Sequence, residues 1–345
     1  MKKKYLYIHT FGCQMNVHDS EQIMELLRKY GYEKARDIEN SDLIIINTCS
    51  VRVKAEQKVY SLLGRLKGLK EKNLDLVIGV GGCLAQQLGK NLLKRFPYVD
   101  LVFGTHEIHC VPEMLREIEH NRCRIAKTEF HESIRSMDLV VIPESNKVAA
   151  YVTIMQGCDN FCTYCIVPYV RGREQSRESA DIVNEIEVLA ENGVKEVSLL
   201  GQNVNSCGRN LAGGQDFPNL LKKISEIEGI ERIRFTTSHP KDLSDELIDC
   251  FASMEKLCEH IHLPVQSGSE RVLKRMKRGY TIEEYFKKVE KLRYACPSIS
   301  ITSDIIVGFP GESDVDFQRT IELMEKVKFD NTYSFVYSER SGTVA

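Results

Sequence analysis

Residues 156–177 read Gln-Gly-Cys-Asp-Asn-Phe-Cys-Thr-Tyr-Cys-Ile-Val-Pro-Tyr-Val-Arg-Gly-Arg-Glu-Gln-Ser-Arg. They hold three thiols in a C-x3-C-x2-C spacing: Cys158, Cys162 and Cys165. A loop this short lets the three sulfurs converge on one centre. Thiolates are the usual ligands of iron–sulfur clusters, which normally take four, so a [4Fe–4S] cube held here keeps one iron open. The alternatives are a structural zinc site, which needs four closed ligands, or three unrelated buried thiols.

An aromatic residue, Tyr164, stands immediately before the third cysteine. With it, the motif resembles that of the radical S-adenosylmethionine (SAM) superfamily. The resemblance implies that the open iron binds the amino and carboxylate groups of SAM. It also implies that the reduced cluster cleaves SAM to methionine and a 5′-deoxyadenosyl radical.

Length and composition indicate a globular protein of two domains. The chain has 345 residues, 42% of them hydrophobic and 28% charged, which is typical of soluble proteins and is long for one domain. The net charge of −2 does not by itself indicate nucleic-acid binding. A local basic patch is compatible with it, because phosphate recognition needs charge clustered on one face.

Twelve cysteines are many for a chain whose start, Met1-Lys2-Lys3-Lys4, does not resemble a signal peptide. The longest apolar runs, such as 43–46, are far too short to cross a membrane. We therefore expect a cytoplasmic protein whose thiols serve metal binding or catalysis rather than disulfides.

The first 110 residues alternate between strand and helix patterns. The predicted strands are Lys4–Thr10, Leu43–Asn47, Leu76–Val80 and Val99–Phe103. The predicted helices are Ser20–Tyr30, Lys54–Lys67 and Gln86–Arg95. Strands separated by helices imply a parallel sheet with right-handed crossovers.

Three more cysteines each lie just past one of these strands: Cys13, Cys49 and Cys83. The carboxyl ends of parallel strands share one edge of the sheet, where ligands bind, and neighbouring strands are about 4.8 Å apart. The pattern therefore favours a second cluster over three separately buried cysteines, although burial is a common fate of single cysteines.

The composition becomes polar and irregular after about residue 120. We expect an N-terminal domain at 1–125, a linker at 126–146 and a second domain at 147–345. The second domain has six candidate strands: Tyr151–Met155, Glu196–Leu200, Arg232–Thr236, Glu259–Leu263, Ile299–Val307 and Thr332–Tyr337. Helix patterns at 178–192, 217–228, 242–253, 281–294 and 312–327 separate them. Six βα units predict an incomplete (β/α)6 TIM-type barrel, with its chemistry at the carboxyl ends of the strands.

The loops after the later barrel strands carry glycine and small polar residues, which let a nucleoside approach closely. The candidate SAM contacts are Tyr164, Gln202, Asn203, Ser238, Gln266, Ser267, Asp304, Val307 and Gly308. Each loop alone could be a plain turn. Four such loops in succession at one face favour a binding site.

Two basic stretches follow active-face loops. The first has Arg171, Arg173 and Arg177, and the second has Arg271, Lys274, Arg275, Lys277 and Arg278. They are interpreted either as solvated helix faces or as contacts with a phosphate backbone.

Further motifs accompany the radical SAM motif. They are Thr-Phe-Gly-Cys-Gln-Met-Asn at 10–16, Asn-Thr-Cys-Ser-Val-Arg at 47–52 and Gly-Val-Gly-Gly-Cys at 79–83. With these, essentially the whole chain resembles the methylthiotransferases, and most closely the tRNA-2-methylthio-N6-dimethylallyladenosine synthase branch. Gln-Met-Asn and Ser-Val-Arg favour this branch over those that modify threonylcarbamoyladenosine or a ribosomal-protein aspartate.

The resemblance implies two clusters and two uses of SAM. Cys158, Cys162 and Cys165 would hold the radical-generating [4Fe–4S] cluster, and Cys13, Cys49 and Cys83 an auxiliary one. One SAM would methylate sulfur at the auxiliary cluster, and a second would yield the radical that activates C2 of the modified adenine at tRNA position 37.

The methylthio group would then replace the C2 hydrogen of that base. The partners implied are the tRNA anticodon stem-loop and a low-potential electron donor, and the chain would act as a monomer. The base would leave the anticodon-loop stack to reach a site between the clusters, which single-stranded loops allow cheaply.

The chain departs from the family pattern in two places. Family members usually continue past 337–343 into a small C-terminal β-barrel, the TRAM domain, which helps bind RNA, whereas this sequence ends at Ala345. Either it is a fragment or tRNA affinity comes from elsewhere. Cys207 stands where an aromatic is expected, and we interpret it as structural together with Cys110, Cys123, Cys250, Cys258 and Cys296. The rival hypothesis is a non-catalytic electron carrier or tRNA-binding protein, which would not need a SAM pocket.

Overall fold

The computed structural model describes residues 3–50, 53–131, 139–143, 147–211 and 215–345. Residues 132–138 and 144–146 of the expected linker lie outside the described residues. The chain divides into two compact units. The first is Met1–Val141 with Tyr169–Gly172, and the second is Ile142–Pro168 with Arg173–Ala345.

The first unit is built on one parallel six-stranded sheet. Its strands are β1 (Lys4–Phe11), β2 (Tyr32–Lys34), β3 (Leu43–Thr48), β4 (Val77–Gly82), β5 (Leu101–Phe103) and β6 (Ile125–Lys127), in the order β2-β1-β3-β4-β5-β6. Its helices are α1 (Gln14–Arg28), α2 (Val53–Lys72), α3 (Cys83–Leu88), α4 (Lys90–Arg95) and α5 (Val111–Asn121). Every residue of β3 and β4 is buried, as expected for central strands of a parallel sheet covered on both faces.

The first helix begins at Gln14 rather than at the predicted Ser20. Its amino-terminal turns are polar, so the apolar stripe that indicated a helix starts too late in the sequence. These polar side chains are nevertheless buried, including Asn16 and Asp19, and such burial is stable only with hydrogen-bond partners inside the protein.

The second unit repeats the βα alternation. Its strands are β7 (Ala149–Thr153), β8 (Met155–Gln156), β9 (Gln175–Ser176), β10 (Glu196–Leu200), β11 (Arg232–Phe235), β12 (His260–His262), β13 (Ser300–Val307) and β14 (Asn331–Val336). Its helices are α6 (Val167–Val170), α7 (Ser179–Glu191), α8 (Phe217–Ser225), α9 (Asp245–Ser253), α10 (Glu270–Met276), α11 (Ile282–Ala295) and α12 (Asp314–Val327).

Six parallel strands of this unit run side by side in chain order. They form the sheets β7-β10-β11 and β12-β13-β14, and a parallel bridge from Ile233 to Leu257 joins β11 to the segment that leads into β12. The prediction of a parallel sheet followed by an incomplete TIM-type barrel is confirmed. Among the described helices, none combines the length and the apolar character that crossing a membrane requires.

Candidate functional site

The first unit brings Cys13, Cys49 and Cys83 to one edge of its sheet. They follow β1, β3 and β4, which are neighbours in the sheet. The ladder pairs Phe11 with Thr48 and Thr48 with Gly82, so the three strands end at the same level. We call these three cysteines the N-terminal triad.

The sulfurs of the N-terminal triad contact one another. A hydrogen bond with the Cys49 thiol is the main cause that lowers the pKa of Cys13 to about 6 and that of Cys83 to about 7. The same two hydrogen bonds raise the pKa of Cys49. Deprotonated sulfur is the form that binds metal, so these hydrogen bonds favour the metal-binding form of Cys13 and Cys83.

Glycine is required where these loops approach each other. Gly82 has φ +88°, and a Cβ there would lie 2.6 Å from the carbonyl oxygen of Thr48. A Cβ on Gly12 would lie 2.9 Å from the Cβ of Cys49. Any side chain at either position would force neighbouring cysteine loops apart.

A buried polar network supports the N-terminal triad. Asn47 donates through Nδ2 to the carbonyl oxygen of Asn16 (2.8 Å) and to Ser20 Oγ (2.9 Å). Asn16 Oδ1 accepts from the backbone N–H of Cys13 at 3.4 Å. The network fixes the first two cysteine loops relative to each other. Val51 and Arg52, at the end of the second motif, lie outside the described residues.

A buried arginine completes this site. Arg171 donates through Nε to Cys83 Sγ (3.3 Å), and its Nη1 and Nη2 donate to the two carboxylate oxygens of Asp19 at 3.3 and 2.5 Å. Such a bidentate pair fixes the orientation of the guanidinium plane.

The second unit places Cys158, Cys162 and Cys165 in the loop after β8. We call these cysteines the barrel triad. The backbone N–H of Cys165 donates to the carbonyl of Cys162 at 2.9 Å, which closes a tight turn between them. Burial raises the pKa of Cys158 to about 11 and that of Cys165 to about 12, so a bound cation is needed to hold them as thiolates.

A buried arginine also contacts the barrel triad. Arg278 donates through Nη1 to Cys162 Sγ at 3.4 Å and to the hydroxyl of Tyr164 at 3.3 Å. Its Nη2 donates to the carbonyl of Pro264 at 2.6 Å. His239 Nε2 lies 3.9 Å from Cys162 Sγ. Burial, aided by the Arg278 charge, lowers the pKa of His239 far below its usual range, so this ring is neutral.

Several expected SAM contacts lie in loops that follow barrel strands. Gln202 accepts through Oε1 from the backbone N–H of Gly157, next to the first cysteine of the barrel triad, at 2.5 Å. Asn203 donates through Nδ2 to Ser206 and Asp242. Buried polar atoms without a hydrogen-bond partner among the described residues include Gln156 Nε2, Asn203 Oδ1, Asn205 Nδ2 and Ser238 Oγ. Such atoms are rare in folded proteins unless a ligand or water meets them, so this set fits a polar cofactor.

Other expected contacts have partners within the protein. Ser267 is fully buried, and its hydroxyl meets Thr320 Oγ1 (3.4 Å) and the backbone N–H of Ser269 (3.2 Å). Asp304 lies 3.5 Å from His262 Nε2. Gln266 has φ +75° and exchanges backbone hydrogen bonds with β13. Val307 ends β13, and the N–H of Gly308 donates to the Glu312 carboxylate.

The phosphate-contact interpretation is wrong for three of the arginines. Arg171, Arg177 and Arg278 are 2%, 6% and 4% exposed, so they form neither a solvated face nor a free basic patch. Arg177 donates to Glu185 at 2.5 Å. A regular spacing of arginines does not distinguish a surface charge from one buried with an acid or a thiol.

The remaining basic residues are exposed. Arg173 pairs with Asp159 and Arg271 with Asp316, which leaves Lys274, Arg275 and Lys277 as the exposed charges of α10 and its end.

The other cysteines are free thiols: Cys207, Cys250 and Cys296 are buried, and Cys110, Cys123 and Cys258 are half-buried. In the described parts of the chain, no three His, Cys, Asp or Glu side chains are spaced to bind one metal ion. In a [4Fe–4S] cube, each cysteine binds a different iron.

Comparison with known proteins finds a matching protein family for each of the two units. Residues 5–104 match the uncharacterized protein family UPF0004, and residues 152–324 match the radical SAM superfamily. The structure resembles the radical SAM methyltransferase TsrM from Kitasatospora setae with TM-score 0.73 and 16% identity, over 97% of this chain and 75% of that chain. The cobalamin-dependent radical SAM enzyme OxsB matches with TM-score 0.66 and 13% identity, over 94% and 52%. These likenesses show the fold.

The match over half of the chain makes this protein a member of the radical SAM superfamily. Curated relatives show to which family within this superfamily the chain belongs. Over all of this chain, the tRNA-2-methylthio-N6-dimethylallyladenosine synthase of Syntrophus aciditrophicus is 58% identical, and that of Geobacter sulfurreducens is 56% identical. The chain covers 75% and 77% of these relatives. It belongs to the tRNA-2-methylthio-N6-dimethylallyladenosine synthase family.

Proposed function

We propose that this chain adds a methylthio group to C2 of N6-(dimethylallyl)adenosine at tRNA position 37, with SAM as methyl donor and radical source. The observation that carries the proposal is the pair of cysteine triads, one in each unit. The N-terminal triad follows three parallel strands, the barrel triad follows β8, which pairs antiparallel with β9, and each triad has a buried arginine beside it. A protein that only carried electrons could also hold two clusters, but it would not need the buried polar atoms, without a partner among the described residues, that lie in the loops after the barrel strands.

The barrel triad is the site for the radical-generating cluster. Cys158, Cys162 and Cys165 would hold a [4Fe–4S] cluster, which would supply the electron for reductive cleavage of SAM. The protein contributes three thiols in one loop, two of them in a tight turn, and a guanidinium that hydrogen-bonds to Cys162. The unpaired polar atoms of Gln156, Asn203, Asn205 and Ser238 would bind polar groups of SAM.

The N-terminal triad would hold the auxiliary cluster, which would provide the site for methylation and transfer of sulfur. Cys49 and Cys83 are buried, whereas Cys13 is exposed. A site built in this way shields two ligands from solvent and leaves one side open to reactants. The functional division is 1–125 for sulfur delivery, 126–146 as linker and 147–345 for radical formation.

The substrate is tRNA, and we assign the contact to its anticodon stem-loop. Lys274, Arg275 and Lys277 are the exposed charges available to phosphates in the 271–278 segment, because Arg278 is buried against the barrel triad. The remaining partner is a low-potential electron donor. The protein acts as a cytoplasmic monomer.

Iron content and tRNA nucleosides test the proposal together. Anaerobic reconstitution should give about eight irons per chain, two cubes of four. Replacement of either triad by alanine should roughly halve this number. Cys250→Ala, which removes a buried cysteine outside both triads, should keep all of the iron and is the matched control.

Cells that carry the intact gene should contain the 2-methylthio derivative of N6-(dimethylallyl)adenosine in their tRNA, and cells without it should contain the unmodified precursor. Full iron retention in either triple variant would refute the ligand assignment. Unchanged nucleosides in the deletion strain would refute the substrate, and loss of a methylthio group from threonylcarbamoyladenosine instead would place the chain in the sister branch.

A further inference from the structure

Arg171, which donates a hydrogen bond to Cys83, is not part of the sequence motif that contains Cys83. Arg171 follows the last cysteine of the barrel triad by six residues in the chain (171 − 165), yet it belongs to the first unit and contacts the N-terminal triad. The segment that carries the barrel triad thus continues into an arginine that contacts the N-terminal triad.

We propose that Arg171 is a positioning residue for the auxiliary cluster. It holds the Cys83 sulfur and sets the reduction potential of the cluster, while Asp19 orients its guanidinium. The proposal rests on the assignment of the N-terminal triad as cluster ligands made above.

The backbone around Arg171 is held in place independently of its side chain. His106 Nε2 donates to the carbonyl of Arg171 at 3.0 Å, and His106 Nδ1 accepts from the backbone N–H of His131 at 3.2 Å. Thr105 Oγ1 donates to the carbonyl of Val170 at 2.8 Å. With the backbone anchored on one side and Asp19 on the other, Nε has one orientation, which points at sulfur.

The charges decide what such an arrangement does. A guanidinium stays protonated at any physiological pH, and its burial is stable only with a partner, which Asp19 supplies. An N–H donor to a ligand sulfur stabilises the reduced, more negative cluster, because hydrogen bonds to sulfur and nearby charge set iron–sulfur potentials. Loss of a residue that orients a metal ligand typically costs about 10- to 100-fold in metal affinity or activity.

The alternative is that Arg171 and Asp19 form an ordinary buried ion pair that only stabilises the fold. The two roles predict different shifts of the cluster's reduction potential. If the pair acts on the cluster, loss of the positive charge in Arg171→Met lowers the reduction potential, and loss of the negative charge in Asp19→Asn raises it. A purely structural pair gives no opposite shifts.

The experiment uses the full chain with the barrel triad replaced by alanine, so that the N-terminal cluster alone is observed. After anaerobic reconstitution, its midpoint potential is measured by redox titration with electron paramagnetic resonance. Arg171→Met should shift the midpoint to more negative values and Asp19→Asn to more positive values. Arg171→Lys, which keeps the charge but loses the forked geometry, should fall between Arg171→Met and the parent.

Arg177→Met is the matched control, because it also removes a buried arginine from a carboxylate, Glu185, and should leave the midpoint unchanged. If Asp19→Asn and Arg171→Lys bind iron as the parent does with an unmoved midpoint, the proposal is overturned. If the parent background binds no iron, the cluster assignment itself fails, and the iron content distinguishes this failure from the other.

Discussion

Gly82→Ala is the substitution that tests the N-terminal triad most directly without touching a ligand. Gly82 immediately precedes Cys83 and has φ +88° and ψ −162°, a region that is essentially restricted to glycine. A Cβ there would collide with Asn47 Oδ1 and would lie 2.6 Å from the carbonyl oxygen of Thr48. The second of these atoms is backbone of the central strand and has little freedom to move.

The expected cost has two parts. The backbone conformation costs about 1–3 kcal/mol for a residue with a side chain. Displacement of the buried Asn47 amide from its hydrogen bonds costs about 1–3 kcal/mol more. The sum is about 2–6 kcal/mol. Gly31→Ala is the matched control, since Gly31 has φ +85° and a Cβ added there would have no neighbouring atom within 4 Å, so it should cost only about 1–2 kcal/mol.

The difference in stability between Gly82→Ala and Gly31→Ala can be measured by amide hydrogen exchange of the apo protein. Peptides from β3 and β4 report on the first unit. A loss of about 2 kcal/mol or more corresponds to roughly 30-fold faster exchange, because about 1.4 kcal/mol is tenfold. Reconstituted Gly82→Ala should also lose the iron of the N-terminal triad and keep that of the barrel triad. If Gly82→Ala and Gly31→Ala exchange and bind iron equally, the close approach of the cysteine loops does not determine the site.

Three further predictions concern stability, RNA binding and the division of labour. Hydrogen bonds, first from Arg271 and then from Ser269 and Ser313, lower the pKa of Asp316 well below its usual range. Asp316→Asn should therefore destabilise the apo protein at neutral pH, and its deficit in urea unfolding should shrink as the pH falls below about 4, where the unfolded carboxyl takes up its proton. Lys274→Ala and Lys277→Ala should each reduce the slope of log affinity for an anticodon stem-loop against log salt by about 0.7–0.9; an unchanged slope would leave them as solvated charges. Alanine at all three positions of the N-terminal triad should permit reductive SAM cleavage but no methylthio transfer, and a folded variant that forms no 5′-deoxyadenosine would contradict this.

Much of the fold could be predicted from sequence, because its elements carry strong patterns. Residues 43–46 are a continuous apolar run bounded by polar residues, and β3 (Leu43–Thr48) begins with that run. The strands β2 and β6 escape prediction, because each has three residues and ends in a lysine, whereas β5 and β12 are as short but lie within longer apolar patterns. The helix α10 was indicated only by its charges, because seven residues give less than two turns of periodicity.

The site could be predicted only as far as its cysteines. Their spacing indicates convergence, because each follows a strand of one parallel sheet. The polar network beneath them was missed, although Asn16 and Asn47 stand within the quoted motifs, three residues after Cys13 and two before Cys49. The available signal was a polar residue inside a buried strand or a first helical turn, a position where it needs a partner in the protein.

The arginines show where sequence reasoning fails for a physical reason. Arg171 and Arg278 have the same local context as surface charges, and whether a guanidinium is buried depends on a partner far away in the sequence, Asp19 for the first and the Pro264 carbonyl for the second. In the structure each donates to a sulfur of a different triad. A cube bound by three thiolates adds negative charge to a buried site, and a fixed positive charge offsets that cost where water cannot. Arg171 and Arg278 do not contact phosphate as expected. Because each places a buried positive charge beside one triad, they support the interpretation that both triads hold anionic clusters.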